Sequence, residues 1–254
     1  MFFLLSPLEQ FQILPIISLN LSIFDFSITN ASIILGIGLS SFIFVLYSLL
    51  SEKGNFYIAP NRIQYLVEII YNVVYGLLND NVGSVGKAFF PYVFTLFTFI
   101  LISNIIGLVP YSFTVTSHLI VTFALALMTF IGINLICIRE HGINLLSLFL
   151  PPGSSMILAL LLVPIELVSY IFRPISLSVR LFANMMAGHT LLKVIVGFAW
   201  SMLLLEDFLS ILHIIPLLVL VILMGLELGV AMIQAYVFTV LTCIYLNDSI
   251  NLSH

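Results

Sequence analysis

Charge is scarce in this chain. Lysine, arginine, aspartate and glutamate together make up 7% of its 254 residues, where a soluble domain typically carries about 25%. With 62% of residues apolar and a mean hydropathy of +1.26, the principal solvent is lipid. The formal charge of −4 leaves no basic patch for nucleic acid. Only two cysteines occur, Cys137 and Cys243, both inside apolar runs, so neither a disulfide framework nor a metal site is indicated. A phosphate-binding loop of the type G-x-x-x-x-G-K-S/T is missing, and Gly86-Lys87 stands alone. Met1–Leu5 is apolar but too short, and too poor in basic residues, for a secretory signal. No internal repeat is visible, which counts against folds built from two inverted halves.

What the chain does have is a series of long apolar runs, enough for five or six crossings of about 20 residues each. Residues 1–30 form an N-terminal tail, and residues 31–50 (Ala31–Leu50) a clean first transmembrane span. Residues 51–87 are different, with Lys53, Arg62 and Lys87 set against Glu52, Glu68 and Asp80. There Ile63, Leu66, Val67, Ile70, Val73 and Val74 recur three and four apart, which predicts an amphipathic helix over Arg62–Leu78 lying on the membrane surface. Residues 88–138 hold a transmembrane hairpin, Ala88–Pro110 and Leu119–Ile138, joined by the uncharged loop Tyr111–His118. In the connecting loop 139–155, Ile143–Leu150 is too short to cross and Pro151-Pro152-Gly153 stops it.

Residues 156–254 carry two runs that are longer than a bilayer needs. At ~1.5 Å per residue, Met156–Trp200 would extend about 67 Å and Leu212–Leu246 about 52 Å, against ~30 Å of hydrocarbon. Each is either one tilted, bent helix or two shorter spans, with Pro164, Pro174 and Pro216 as possible kinks. Arg173–Arg180 contains no Gly, Asn or Asp to make a tight turn, which favours long tilted helices forming an antiparallel hairpin. The expected fold is an all-α integral membrane protein with about five transmembrane helices plus one amphipathic surface helix. Basic residues after the first span and Arg139 after the third place the N-terminus outside and the C-terminus inside. The acidic turn with Glu206 and Asp207 then falls outside.

The last two runs also carry polar residues that are expensive in lipid and therefore rarely idle. In an antiparallel hairpin the numbers of facing residues share a near-constant sum. Three pairs meet that condition: Glu166 with Asp248, Arg180 with Gln234, and His189 with Glu227. At about 100° per residue, Glu166, Arg173 and Arg180 lie on one drifting stripe, with Asn184, Ser176, Ala187 and Gly188 beside Arg180. His189 lies half a turn away from Arg180 by the same count. Glu227, Gln234, Leu241 and Asp248 share a stripe on the last run, which puts Glu227 and Asp248 about 31 Å apart. Glu, His and Asp can exchange protons near neutral pH. Arginine keeps its proton, so Arg180 between two titratable sets interrupts any continuous proton wire. Protons would then cross on a separate, mobile acid, through two half-channels with a gap between them. Each residue also has a plainer reading. Glu166 with Arg173 reads as a structural ion pair, His189 as a packed core histidine, Gln234 as interhelical glue and Asp248 as a solvated helix end. Lys193 reads as snorkelling outward, with no assigned role.

The run Arg173-Pro-Ile-Ser-Leu-Ser-Val-Arg180-Leu-Phe-Ala-Asn184-Met-Met-Ala-Gly-His189, followed by Glu227 and Gln234-Ala-Tyr-Val-Phe, closely resembles subunit a of the F-type ATP synthase. Phe90-Pro-Tyr-Val-Phe-Thr-Leu-Phe and Asn104 through Val109-Pro110-Tyr-Ser-Phe agree, and the likeness spans nearly the whole chain. Ser6-Pro-Leu-Glu-Gln-Phe resembles fungal mitochondrial members, some of which lose a leader like Met1–Leu5. The His189/Glu227 arrangement is the mitochondrial one. The resemblance implies a non-catalytic, proton-translocating stator subunit of the mitochondrial inner membrane, coupling proton flow to ATP synthesis. Its N-terminus would lie in the intermembrane space and its C-terminus on the matrix side. Its implied partners are a rotating c-ring, other membrane-sector and peripheral-stalk subunits, lipid and protons, with no cofactor and no metal. Arg180 would face the ring carboxylate with Gln234 as its neighbour. His189 and Glu227 would line the inlet, Glu166 and Asp248 the outlet, and Asn184 and Ser176 would lie near the ring contact. The rival readings are a stand-alone proton-coupled secondary transporter, in which Arg180 binds an anionic substrate, and an assembly scaffold.

Overall fold

A computed structural model describes residues 7–18, 20–21, 24–51, 62–109, 113–142, 156–203 and 213–250. Six α-helices occur among them: α1 Asn30–Ser51, α2 Arg62–Val82, α3 Phe90–Gly107, α4 Leu119–His141, α5 Met156–Leu203 and α6 Ile214–Ile250. The protein is an all-α membrane-type protein, and the helix bounds follow the apolar runs to within a few residues. Four stretches are long and apolar enough to cross a membrane: Val85–Gly107, Leu119–His141, Leu160–Leu203 and Ile214–Ile250. The fifth expected span, α1, has 22 residues, or about 33 Å at the helical rise. Ile143–Leu150, the Pro151-Pro152-Gly153 stop, the Glu206–Asp207 turn, Lys53 and Met1–Leu5 lie outside the described residues.

Helices α5 and α6 run unbroken for 48 and 37 residues, which settles one long helix over two short spans in each case. Pro164 and Pro174 both sit inside α5. Each removes one backbone donor, and the surrounding apolar helix carries on past the gap. Pro216 falls in the first turn of α6, where no intrahelical partner for its N–H exists anyway. At the ends of α2 and α4 the chain turns through Gly83 and Gly142, with φ of 74° and 55°, a left-handed conformation open to glycine at little cost.

The tail is more structured than a tail need be. A 3₁₀ turn at Pro7–Phe11 precedes strand β1 (Pro15–Ile17), which pairs antiparallel with β4 (Ile28–Thr29), while β2 (Asn20–Leu21) pairs with β3 (Phe24–Asp25). Strands of two or three residues are too short to display the alternation by which a sequence reveals β structure.

Internal contacts divide the chain into two compact units. One comprises residues 1–63, 99–118 and 181–235; the other comprises residues 64–98, 119–180 and 236–254. Within the first, Asn104 of α3 is fully buried and its Nδ2 donates to the carbonyl of Ala231 in α6, 3.4 Å away. Within the second, α2 buries Val74, Leu77, Leu78 and Val82 and leaves Glu68 and Asp80 exposed. The helix is two-faced, but of the apolar positions expected to line one face Val74 is buried whereas Leu66 and Val73 are exposed, so the buried stripe lies further along the helix. Tyr71 and Tyr75 of α2 stack on each other and lie against Phe90 at the start of α3. The outward faces of the long helices are apolar, with Ile120 82% and Leu160 81% exposed, as a lipid solvent requires.

Candidate functional site

In the first unit, the second half of α5 packs antiparallel against the first part of α6. Spacings of four on α5 (Asn184, Gly188) and of seven on α6 (Glu227, Gln234) bring these residues to facing stripes. Asn184 Nδ2 donates to Gln234 Oε1 at 2.8 Å. One turn on, Gly188 lies over Glu227. A Cβ added there would stand 2.5 Å from Oε1, 3.1 Å from Cδ and 3.3 Å from Cγ of Glu227. The missing side chain is what makes room for the carboxyl group. Glu227 is only 9% exposed. Both its oxygens are buried without a hydrogen-bond partner among the described residues, as are His189 Nε2 and Gln234 Nε2. A buried polar atom left unpaired costs about 1–3 kcal/mol, so the three on Glu227 and His189 are not a packing solution. Glu227 and His189 line a cavity of about 230 Å³ together with Leu108, Asn184, Gly188 and Val230, among others. The expected level match of His189 with Glu227 is seen as two groups lining one cavity.

Arg180 is exposed, and among the described residues it has no ion pair and no hydrogen bond. Ser176 and Asn184, one turn away on either side, are exposed as well. Among the described residues, the polar contact this chain makes near that face is the Asn184–Gln234 hydrogen bond, one turn along α5 from the cation. The residue set against Gln234 is Asn184, one turn along from the expected Arg180. The short amide reaches Gln234 directly.

In the second unit the polar residues near the other end of the helix pair meet differently from expectation. Asp248 Oδ2 lies 3.6 Å from Arg173 Nη1, so its partner is two turns along α5 from Glu166, which is half-buried. The Arg173 guanidinium is also held over two aromatic rings, 5.2 Å from the centroid of Tyr170 and 4.9 Å from that of Tyr245. The Tyr170 hydroxyl donates to Asn134 Oδ1 of α4. Gly188 stands in the sequence reading as one of the small residues beside Arg180, not as the seat of the carboxyl group; Tyr170, Tyr245 and Asn134 have no part in that reading. A glycine carries no chemical signature, and neutral tyrosines and amides are common packing residues. Among the described residues no three His, Cys, Asp or Glu side chains converge as metal ligands.

Comparison with known proteins bears on what this arrangement belongs to. Residues 30–247 match the family of the ATP synthase A chain. The chain is 58% identical to the ATP synthase subunit a of Pylaiella littoralis over 245 residues, covering 96% of this chain and 98% of that one. It is 50% identical to that of Chondrus crispus, covering 99% and 98%, and 49% identical to that of Oenothera berteroana, covering 97% and 89%. A helical membrane chain with these polar residues and a family match over almost its whole length belongs to the ATP synthase subunit a family.

Proposed function

We propose that this chain is the non-catalytic, proton-conducting stator subunit of the ATP synthase membrane sector in the mitochondrial inner membrane. It would offer two offset half-channels to the carboxylates of a rotating c-ring. Its N-terminus lies in the intermembrane space and its C-terminus in the matrix. The observation that carries this reading is a buried Glu227 whose oxygens have no partner among the described residues, in a cavity shared with His189; the exposed Arg180, without an ion pair among them, supports it.

The chemistry follows from the side chains. The cavity is the inlet: a carboxyl and an imidazole with unpaired polar atoms take a proton from water on one side and pass it along α6 towards Gln234. Arg180 then blocks direct passage, because a guanidinium neither gives up its proton nor admits a second cation beside it. It also favours the ionised form of any carboxylate brought next to it. Since Arg180 is exposed, that carboxylate comes from a partner, and a proton must be loaded before the Arg180 position and released after it. Glu166 and Asp248 form the outlet, where Arg173 holds Asp248 in place. Asn184 ties Gln234 to α5, and Ser176 supplies a small polar surface at the ring contact. Each proton crossing contributes ~2.3 kcal/mol per 100 mV, so several must pass for each ATP made on the enzyme's other subunits. A cysteine at Ala183, beside Arg180 on the same face, tests this in the assembled complex. It should crosslink to a cysteine placed one turn from the ring's membrane carboxylate. Crosslinks found only to peripheral-stalk subunits would contradict it.

A further inference from the structure

Phe11 stands outside the set of residues just assigned, yet it touches one of them. Its ring meets the His189 imidazole edge-on, with centroids 6.5 Å apart and planes at 75°. Phe11 is the last residue of the turn Pro7–Phe11, and the chain directly after it is fastened to the start of α1 by Asn30. The Asn30 Nδ2 donates to the Gln12 carbonyl at 3.1 Å, and the Leu14 N–H donates to Asn30 Oδ1 at 3.3 Å. The Asn30 N–H in turn donates to the Leu14 carbonyl at 3.2 Å. Pairing of β1 with β4 adds a second fastening a few residues on. The N-terminal segment is thus a short strap anchored at α1 that carries an aromatic ring to the side of His189. All of these residues belong to the first unit.

An imidazole beside a cavity is free to swing about its side-chain torsions unless something occupies the space it would swing into. Edge-on aromatic contact supplies both bulk and an orientation preference. We propose that Phe11 is a positioning residue for His189, holding its ring on the Glu227 cavity, and that the N-terminal strap serves to fix Phe11 there. The proposal rests on the inlet reading of His189 given above.

The test is proton-driven ATP synthesis in membranes containing the assembled complex, expressed per assembled complex. Phe11→Ala should slow synthesis severalfold, Phe11→Tyr should restore it, and Asn30→Ala should reproduce part of the loss by loosening the strap. On a His189→Leu background, Phe11→Ala should add no further loss, because its only route to the proton is through the imidazole. Full-rate synthesis with Phe11→Ala, failure of tyrosine to restore it, or an undiminished added loss on the His189→Leu background would each overturn the proposal. Where Phe11→Ala lowers the amount of complex, Phe11→Leu keeps the bulk without the ring and carries the same outcomes. His189→Leu with unimpaired proton entry would overturn the inlet reading together with this inference. A slowed His189→Leu beside a full-rate Phe11→Ala overturns this inference alone.

Discussion

Gly188 and Glu227 show how a residue with no side chain can govern one that does chemistry. The Glu227 carboxyl occupies the space a Cβ on α5 would fill, with three of its atoms inside ordinary contact distance of that point. In Gly188→Ala the carboxyl group must swing away from α5. The expected outcome is normal assembly with proton-driven ATP synthesis reduced roughly tenfold, or about 1.4 kcal/mol on the limiting barrier. Measuring synthesis against the amount of assembled complex checks it, and an unchanged rate would show that the carboxyl position does not matter. His189→Leu removes the second titratable group at the same cavity and should slow proton entry while leaving assembly intact, read by proton pumping in vesicles. At this scale the acids, the histidine and the arginine were legible in the sequence because lipid makes each one conspicuous. Their neighbours were not. Gly188 was visible only as one of several small residues beside Arg180, and Asn134, Tyr170 and Tyr245 are neutral groups whose pairing depends on which helices meet.

The helix pair α5/α6 sets which of these residues can reach each other. Run length and periodicity disclosed both helices, their antiparallel sense and nearly their ends. The register they suggested holds at Glu227, while the partner of Gln234 lies one turn and that of Asp248 two turns further along α5. Residue arithmetic treats side chains as equal in reach, whereas Asn184 and Gly188 are small enough to let α6 approach and Arg180 is not. Cysteine pairs at 184/234 and 188/227 should therefore crosslink readily, and the pair 173/248 should form faster than 166/248. The reverse order would place the helices in the register the sequence alone suggests. Arg173 supports the other end of the pair. Losing its contacts with Tyr170 and Tyr245, each worth about 0.5–2 kcal/mol, should destabilise Arg173→Leu by about 1–3 kcal/mol, while Asp248→Asn, at a half-exposed ion pair, should cost less. Thermal dissociation of the isolated complex compares the two. The N-terminal strap escaped sequence reading altogether, because its strands are shorter than any period and its anchors are a few bonds around Asn30.

At the scale of the whole molecule, composition alone excluded a soluble domain, and the apolar runs laid out the spans in order. The positive-inside bias adds an orientation that the helices do not themselves report. Introduced cysteines near residue 8 should react with impermeant reagents from the intermembrane-space side, and those near residue 250 only from the matrix side. Labelling from the opposite sides would invert the inlet and outlet. Whatever the orientation, the account depends on Arg180 separating the two proton routes while facing a carboxylate that belongs to a partner. The most direct measurement is therefore proton conductance and ATP synthesis in membranes whose complex carries Arg180→Ala. Synthesis should vanish while protons leak passively through the assembled membrane sector. Synthesis at the normal rate, with a tight membrane, would contradict the account.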